Sequence, residues 1–255
     1  MEMKKTASLF FVLSLMLTSF TAGAQDLRGD VDYDGKVSIA DVTTLIDYLL
    51  SGQWPEDVHE WVDLGLPSGT LWATCNVGAS APEDYGDYFA WGETAPKDYY
   101  DKSTYKWCNG SYNTLTKYCT NSSYGNDGFT DGKIELDSED DAATVNWGEN
   151  WRMPTNDQQQ ELIDNCTRTW TQCNGVNGTL VTGPNGNTIF LPAAGFRSCG
   201  LLGDASDFCY YWSRSLDSGH TFLACSLYFY SGYYYCDNFD RYYGFAVRPV
   251  RVSQN

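Results

Sequence analysis

From about His59 onward the chain cannot sustain a long regular element. Its apolar runs are short, and turn signals such as Gly65-Leu66-Pro67-Ser68-Gly69, Gly183-Pro184-Asn185-Gly186 and Asp217-Ser218-Gly219 break them repeatedly. Short runs between frequent Gly, Pro, Asn and Ser punctuation suit strands and long loops rather than helices, which need a longer uninterrupted 3.6-residue period. One segment differs. Thr155 can cap a helix, Gln158 occupies the capping-box position three residues later, and Leu162, Ile163 and Cys166 fall on one face. The pattern predicts a helix after Pro154 that ends near Asn165 or Cys166. The expected fold class is therefore α+β and sheet-dominated, with one clear helix.

The N-terminus argues export. Lys4 and Lys5 precede the apolar run Leu9 to Leu17, and Ala22-Gly23-Ala24 supplies the small-x-small pattern of signal-peptidase cleavage. The run is too short to span a bilayer. The expected organisation is a signal peptide over 1–24, a small acidic unit over 25–52, a linker over 53–61 around Pro55, and a large domain over 62–252.

A formal charge of −17 disfavours nucleic acid and anionic lipid as partners. Nine cysteines follow the cleavage point. An odd number leaves at least one thiol free or intermolecular. There is no Cys-x-x-Cys, and the two histidines, His59 and His220, offer little to a zinc site. Buried apolar thiols and partial disulfide pairing are both compatible with that pattern.

The small acidic unit carries a metal-ligand pattern. Asp30, Asp32, Asp34 and Asp41 fall at positions 1, 3, 5 and 12 of an EF-type loop, with Gly35 at the sharp turn. Lys36 would give a backbone carbonyl at position 7, and Ser38 sits at the water-mediated position 9. Calcium wants six to eight oxygens, so carboxylates crowded around one turn suit it. Ile39, Val42, Leu45, Ile46, Leu49 and Leu50 follow at helical spacing, and Gly52 can stop the helix. Loop and helix together resemble one dockerin type I repeat. Dockerins carry two repeats that face a cohesin partner, whereas this chain carries one. A cohesin-like or self partner is the interaction the resemblance implies.

The large domain resembles a second family. Val62 to Ala79, Tyr88-Phe89-Ala90-Trp91-Gly92-Glu93, Asp141-Ala142-Ala143, Trp147 to Thr155, and Tyr243 to Val250 occur in the order found in the FISUMP-type major paralogous domain of exported bacterial proteins. The resemblance covers about Val62 to Val250. It implies a C-type-lectin-like fold, distantly similar to formylglycine-generating sulfatase modifiers. It implies no particular activity, and a secreted or envelope setting in a Gram-negative bacterium. Trp147, Trp151 and Trp212 are expected core residues, while Arg152 and Arg248 are expected to pair with buried carboxylates.

No catalytic constellation stands out. The chain has no Gly-x-Ser-x-Gly elbow, no His-Glu-x-x-His and no phosphate-cradling loop. Asp137-Ser138-Glu139-Asp140-Asp141 is the densest acidic run and is expected to be solvated or to hold a cation. The animal-lectin calcium tripeptides Glu-Pro-Asn and Gln-Pro-Asp are also missing. What does stand out is the last quarter, where Tyr210-Tyr211-Trp212, Tyr228-Phe229-Tyr230 and Tyr233-Tyr234-Tyr235 alternate with Ser, Gly, Asn and Asp. Tyrosine among such residues is the composition of natural binding surfaces. The expectation is a non-catalytic module for a glycan or protein ligand, with Tyr211, Tyr230, Tyr234 and Asp237 as contact residues. The alternative is a structural or assembly component docked through its calcium repeat.

Overall fold

A computed structural model describes residues 59–252 and isolated helical positions at 39, 42, 43, 45, 46 and 50. The chain divides into two compact units, Met1–Val58 and His59–Asn255. In the first unit, Ile39 and Leu50 are exposed, and the Thr43 hydroxyl donates to the Ile39 carbonyl at 3.1 Å, a one-turn bond. The calcium-loop residues Asp30, Asp32, Asp34, Lys36, Ser38 and Asp41 lie outside the described residues.

The second unit is sheet-dominated with one clear helix, as its punctuation predicts. Its first sheet joins the two ends of the domain. Strand β1 (Trp61–Asp63) and strand β11 (Val250–Val252) flank β2 (Thr70–Ala73), both antiparallel. All four β2 residues are buried, so this central strand shows no alternation between a buried and an exposed face. The β1–β2 turn is set by the Asp63 carboxylate, which accepts from the Gly65 N–H at 2.7 Å.

The second sheet is the meander β3 (Thr167–Cys173), β4 (Val176–Thr182) and β5 (Thr188–Pro192). Asn174 and Gly175, both at positive φ, join β3 to β4, which is the preferred chemistry of a two-residue hairpin. Cys199 and Gly200 make the same kind of turn between β6 (Phe196–Ser198) and β7 (Leu201–Gly203). The largest sheet orders β10 (Tyr233–Asp240), β9 (Leu223–Tyr230) and β8 (Phe208–Leu216), again antiparallel.

The capping-box helix, named α2 below, runs Asn156–Asn165. The Thr155 hydroxyl accepts from the Gln158 N–H, and the Gln158 side chain accepts from the Thr155 N–H. Cys166 forms its C-cap. A shorter helix, α1 (Ala142–Trp147), precedes it. Its cap is Asp141, the last residue of the acidic run, which is buried and not solvated.

Two apolar clusters fill the unit. One lies between α2, β4, β5 and one face of the large sheet, with Leu162, Val181, Leu191, Tyr211, Leu227 and Phe229 at its centre. The other gathers Trp91, Trp147, Trp151, Trp212 and Phe245. The three tryptophans expected in the core are therefore buried.

Candidate functional site

The phase of strands β8, β9 and β10 decides which aromatic rings reach solvent. The register pairs Tyr233 with Tyr230 and Tyr235 with Tyr228 on one side, and Phe208 with Tyr230 and Tyr210 with Tyr228 on the other. Directly opposed residues share a face. One face therefore carries Phe208, Tyr210, Tyr228, Tyr230, Tyr233 and Tyr235. Ring centroids lie 5.0 Å apart for Tyr230–Tyr233, Tyr228–Tyr235 and Phe208–Tyr230, and 4.9 Å apart for Tyr210–Tyr228. These separations are those of packed aromatic pairs.

The ladder runs from core to water. At one end Trp212 stacks on Phe245 and is fully buried. At the turn end Tyr233 is 60 % exposed and Tyr235 40 %, with Phe208, Tyr228 and Tyr230 half-buried between. Asp237 stands on the same face, exposed, and accepts from the Asn238 N–H at 2.8 Å. Burial and the neighbouring Tyr235 push the Tyr228 hydroxyl up to about 12. Burial and Asp237 raise that of Tyr235. Both phenols are neutral donors at physiological pH.

The four expected contact residues divide. Asp237 and Tyr230 lie on the exposed face. Tyr211 is a correction: it is 1 % exposed, its hydroxyl donates to the Pro192 carbonyl at 2.8 Å, and its ring belongs to the inner core cluster. Tyr234 also points to the inner face. Its ring stacks on Phe229 at 5.4 Å, the Arg168 guanidinium lies 4.8 Å from its centroid, and its hydroxyl meets that of Thr179 at 3.3 Å. Tyr233 and Tyr235 share the face of Asp237 and were not among the expected contacts, which combined Asp237 with Tyr234 from the opposite face of β10. The exposed rings of this face lie on strands β8, β9 and β10.

The acidic run is solvated only in part: Ser138 and Glu139 are exposed, whereas Asp140 and Asp141 are buried. Asp137, Glu139 and Asp140 bring ligand atoms together as a metal site would, but the Lys117 ammonium lies 2.8, 3.1 and 2.6 Å from their carboxylates. Burial alone would lower the Lys117 pKa, yet hydrogen bonds to Asp137, Asp140 and Glu139 raise it well above the ordinary lysine value. Lys117 and Lys133 hold Asp137 down to about 2. A protein ammonium thus occupies the place a metal ion would take.

Asp141 works inward. One of its oxygens caps α1 through the N–H groups of Ala143 and Thr144, and both receive the Met153 N–H at 3.0 Å. Burial nonetheless raises its pKa.

Arg248 corrects a second expectation, and Arg241 repeats its pattern. Arg248 binds Asn76 Oδ1 and the carbonyls of Ala73, Thr74 and Phe190, with no carboxylate among its partners. Arg241 binds the Tyr105 hydroxyl and the carbonyls of Lys117, Tyr118 and Thr221. Each guanidinium ties irregular backbone together by satisfying carbonyls that water cannot reach. Arg152 is half-buried and has no carboxylate partner among the described residues; its backbone bonds to Val250.

His220 lies exposed beside Asp217 at 3.2 Å. All nine cysteines are unpaired; Cys119, Cys166 and Cys209 are buried and Cys199 is exposed. No helix among the described residues is long and apolar enough to cross a membrane. Comparison with protein-family models, with curated proteins and with solved structures finds no match.

Proposed function

We propose that this chain is an exported, non-catalytic recognition module, and that its ligand, a glycan or a protein, rests on the outer aromatic face of β8, β9 and β10. One observation carries the reading: Tyr233 and Tyr235 project into solvent from a ladder of rings whose other end is anchored in the core. Exposed aromatic rings cost solvation and add little to stability, so a contiguous group of them is suited to contact with another molecule. Tyrosine stacks on the apolar faces of sugars and packs on protein surfaces, with its hydroxyl free to donate. The C-type-lectin-like fold and the kinship with FISUMP-type domains belong to this proposal. They rest on the ordered sequence blocks between Val62 and Val250.

Calcium is the proposed cofactor of the small unit, held by Asp30, Asp32, Asp34, Asp41 and the Lys36 carbonyl, with Ser38 through water. The hardness and spacing of those donors support it. The same pattern favours a second reading, an assembly component docked through the repeat to a cohesin-like or self partner.

A glycan and protein array probed with the mature chain tests the first reading. A defined ligand is expected, and Tyr233→Ser and Tyr235→Ser should each weaken it at least about tenfold while the fold is retained. An array without ligands, or a ligand indifferent to both substitutions, would overturn it. Partners captured only when residues 26–52 are present would favour assembly.

A further inference from the structure

The two outer edges of the large sheet are treated differently. Along β8, outward backbone groups are paired: the Trp212 N–H donates to the Ala246 carbonyl at 3.1 Å and the Gly195 N–H to the Phe208 carbonyl at 2.9 Å. Those bonds fix the phase of the whole sheet, because hydrogen bonding alternates from residue to residue along an antiparallel strand. It follows that Tyr233, Tyr235 and Asp237 bond to β9, while Tyr234, Cys236 and Asn238 turn their N–H and C=O groups away from the sheet. The Asn238 N–H bears this out by bonding to the Asp237 carboxylate. Among the described residues, nothing pairs with the outward backbone of Tyr234 or Cys236. Strand β10 contains no Lys, no Pro and no bulge, and its two charged side chains, Asp237 and Asp240, are both acidic.

We propose that this edge is a docking strand for an extended cationic peptide, which adds to β10 as a fourth strand. The inference rests on the recognition reading above and names its ligand class. Charge selects the occupant. Asp237 is exposed on the outer face, and Asp217 lies 3.2 Å from the Asn238 amide. On the inner face, Asp164 and Asp157 of α2 act on the Cys236 thiol, which burial, Cys225 and these two carboxylates push up to about 12. Arg168 is spent on the Tyr234 ring and the Ile163 carbonyl, and His220 faces Asp217 at 3.2 Å. An added strand would set alternate side chains over Tyr235 and beside Asp237. A lysine or arginine there gains a cation–π contact and a cross-strand ion pair. Main-chain bonds would supply affinity and these contacts selectivity, as in other strand-addition complexes. A second copy of the chain is the poorer occupant, because each carries a formal charge of −17.

The test uses the mature chain and three acetylated octapeptides: alternating Lys and Thr, the same peptide methylated on alternate backbone nitrogens, and its Glu counterpart. Titration calorimetry at low salt is expected to show binding of the first. The methylated and Glu peptides should bind at least about tenfold more weakly. Asp237→Lys should weaken the Lys peptide by a similar factor, as should Cys236→Pro, which removes an outward N–H without touching the β9 ladder. Equal binding of the methylated peptide would reduce the effect to charge alone and overturn the proposal. So would indifference to Asp237→Lys, or self-association through β10 seen by sedimentation. If no peptide binds but an array ligand remains sensitive to Tyr233→Ser, the edge proposal falls and the aromatic surface stands. If neither occurs, both fall.

Discussion

At the scale of single residues, the large unit is held by polar side chains that serve backbone. Asp141 is the sharpest case, with one carboxylate receiving three N–H groups from Ala143, Thr144 and Met153. Asp141→Ala should lose about 2–4 kcal/mol, since it removes a helix cap and leaves the buried Met153 N–H unpaired; urea unfolding followed by fluorescence measures it. Lys117 makes a different prediction. Asp137 is depressed to about 2 by Lys117 and Lys133, so its ionised form favours the folded state. That contribution is fully present above the unfolded-state carboxylate pKa of about 3.9 and fades as pH falls toward 2. The urea midpoint of the native chain should therefore drop between pH 5 and 2. In Lys117→Met it should be lower at pH 5, with a shallower decline. An unchanged slope would mean that Lys117 does not set the acid sensitivity.

At the scale of elements, local chemistry explains what could be read in advance. The helix α2 was legible because its signal is short-range: Thr155 and Gln158 close a box over three residues, and Leu162 marks the buried face. Thr155→Ala should cost about 1 kcal/mol by thermal unfolding. The helix α1 was hidden because its six residues are too few to display a period, and its cap depends on Met153, twelve residues away. The tyrosine phase was recoverable. Leu227 and Phe229 are apolar and alternate with Tyr228 and Tyr230, which marks the even-numbered side as the outer one at the turn end of β9. Carrying that phase across the Ser231-Gly232 turn pairs Tyr230 with Tyr233 and puts Tyr233 and Tyr235 outside. Tyr211 could not be placed that way, because β8 is buried on both faces along Cys209 to Ser213. Nor could the carbonyl cages of Arg241 and Arg248, which join residues more than a hundred positions apart.

At the scale of the whole molecule, the division into Met1–Val58 and His59–Asn255 carries a prediction about autonomy. The larger unit contains both apolar clusters and a sheet that unites its first and last strands through β2. Closure of the unit's first and last strands on one central strand makes unfolding all-or-none, because releasing β11 uncovers β2 with its buried Trp72. A chain beginning at His59 should therefore fold alone and unfold in one transition. Trp72, Trp91, Trp151 and Trp212 are fully buried there, so near-ultraviolet circular dichroism reports this unit almost exclusively. Trp151→Ala in the shortened chain should cost about 3–5 kcal/mol, the range for truncating a buried tryptophan. In the full mature chain, calcium and its chelation should change the far-ultraviolet helix signal and leave the tryptophan bands of the larger unit in place. Were the shortened chain to lose its near-ultraviolet signal, the prediction of an autonomous larger unit would fail.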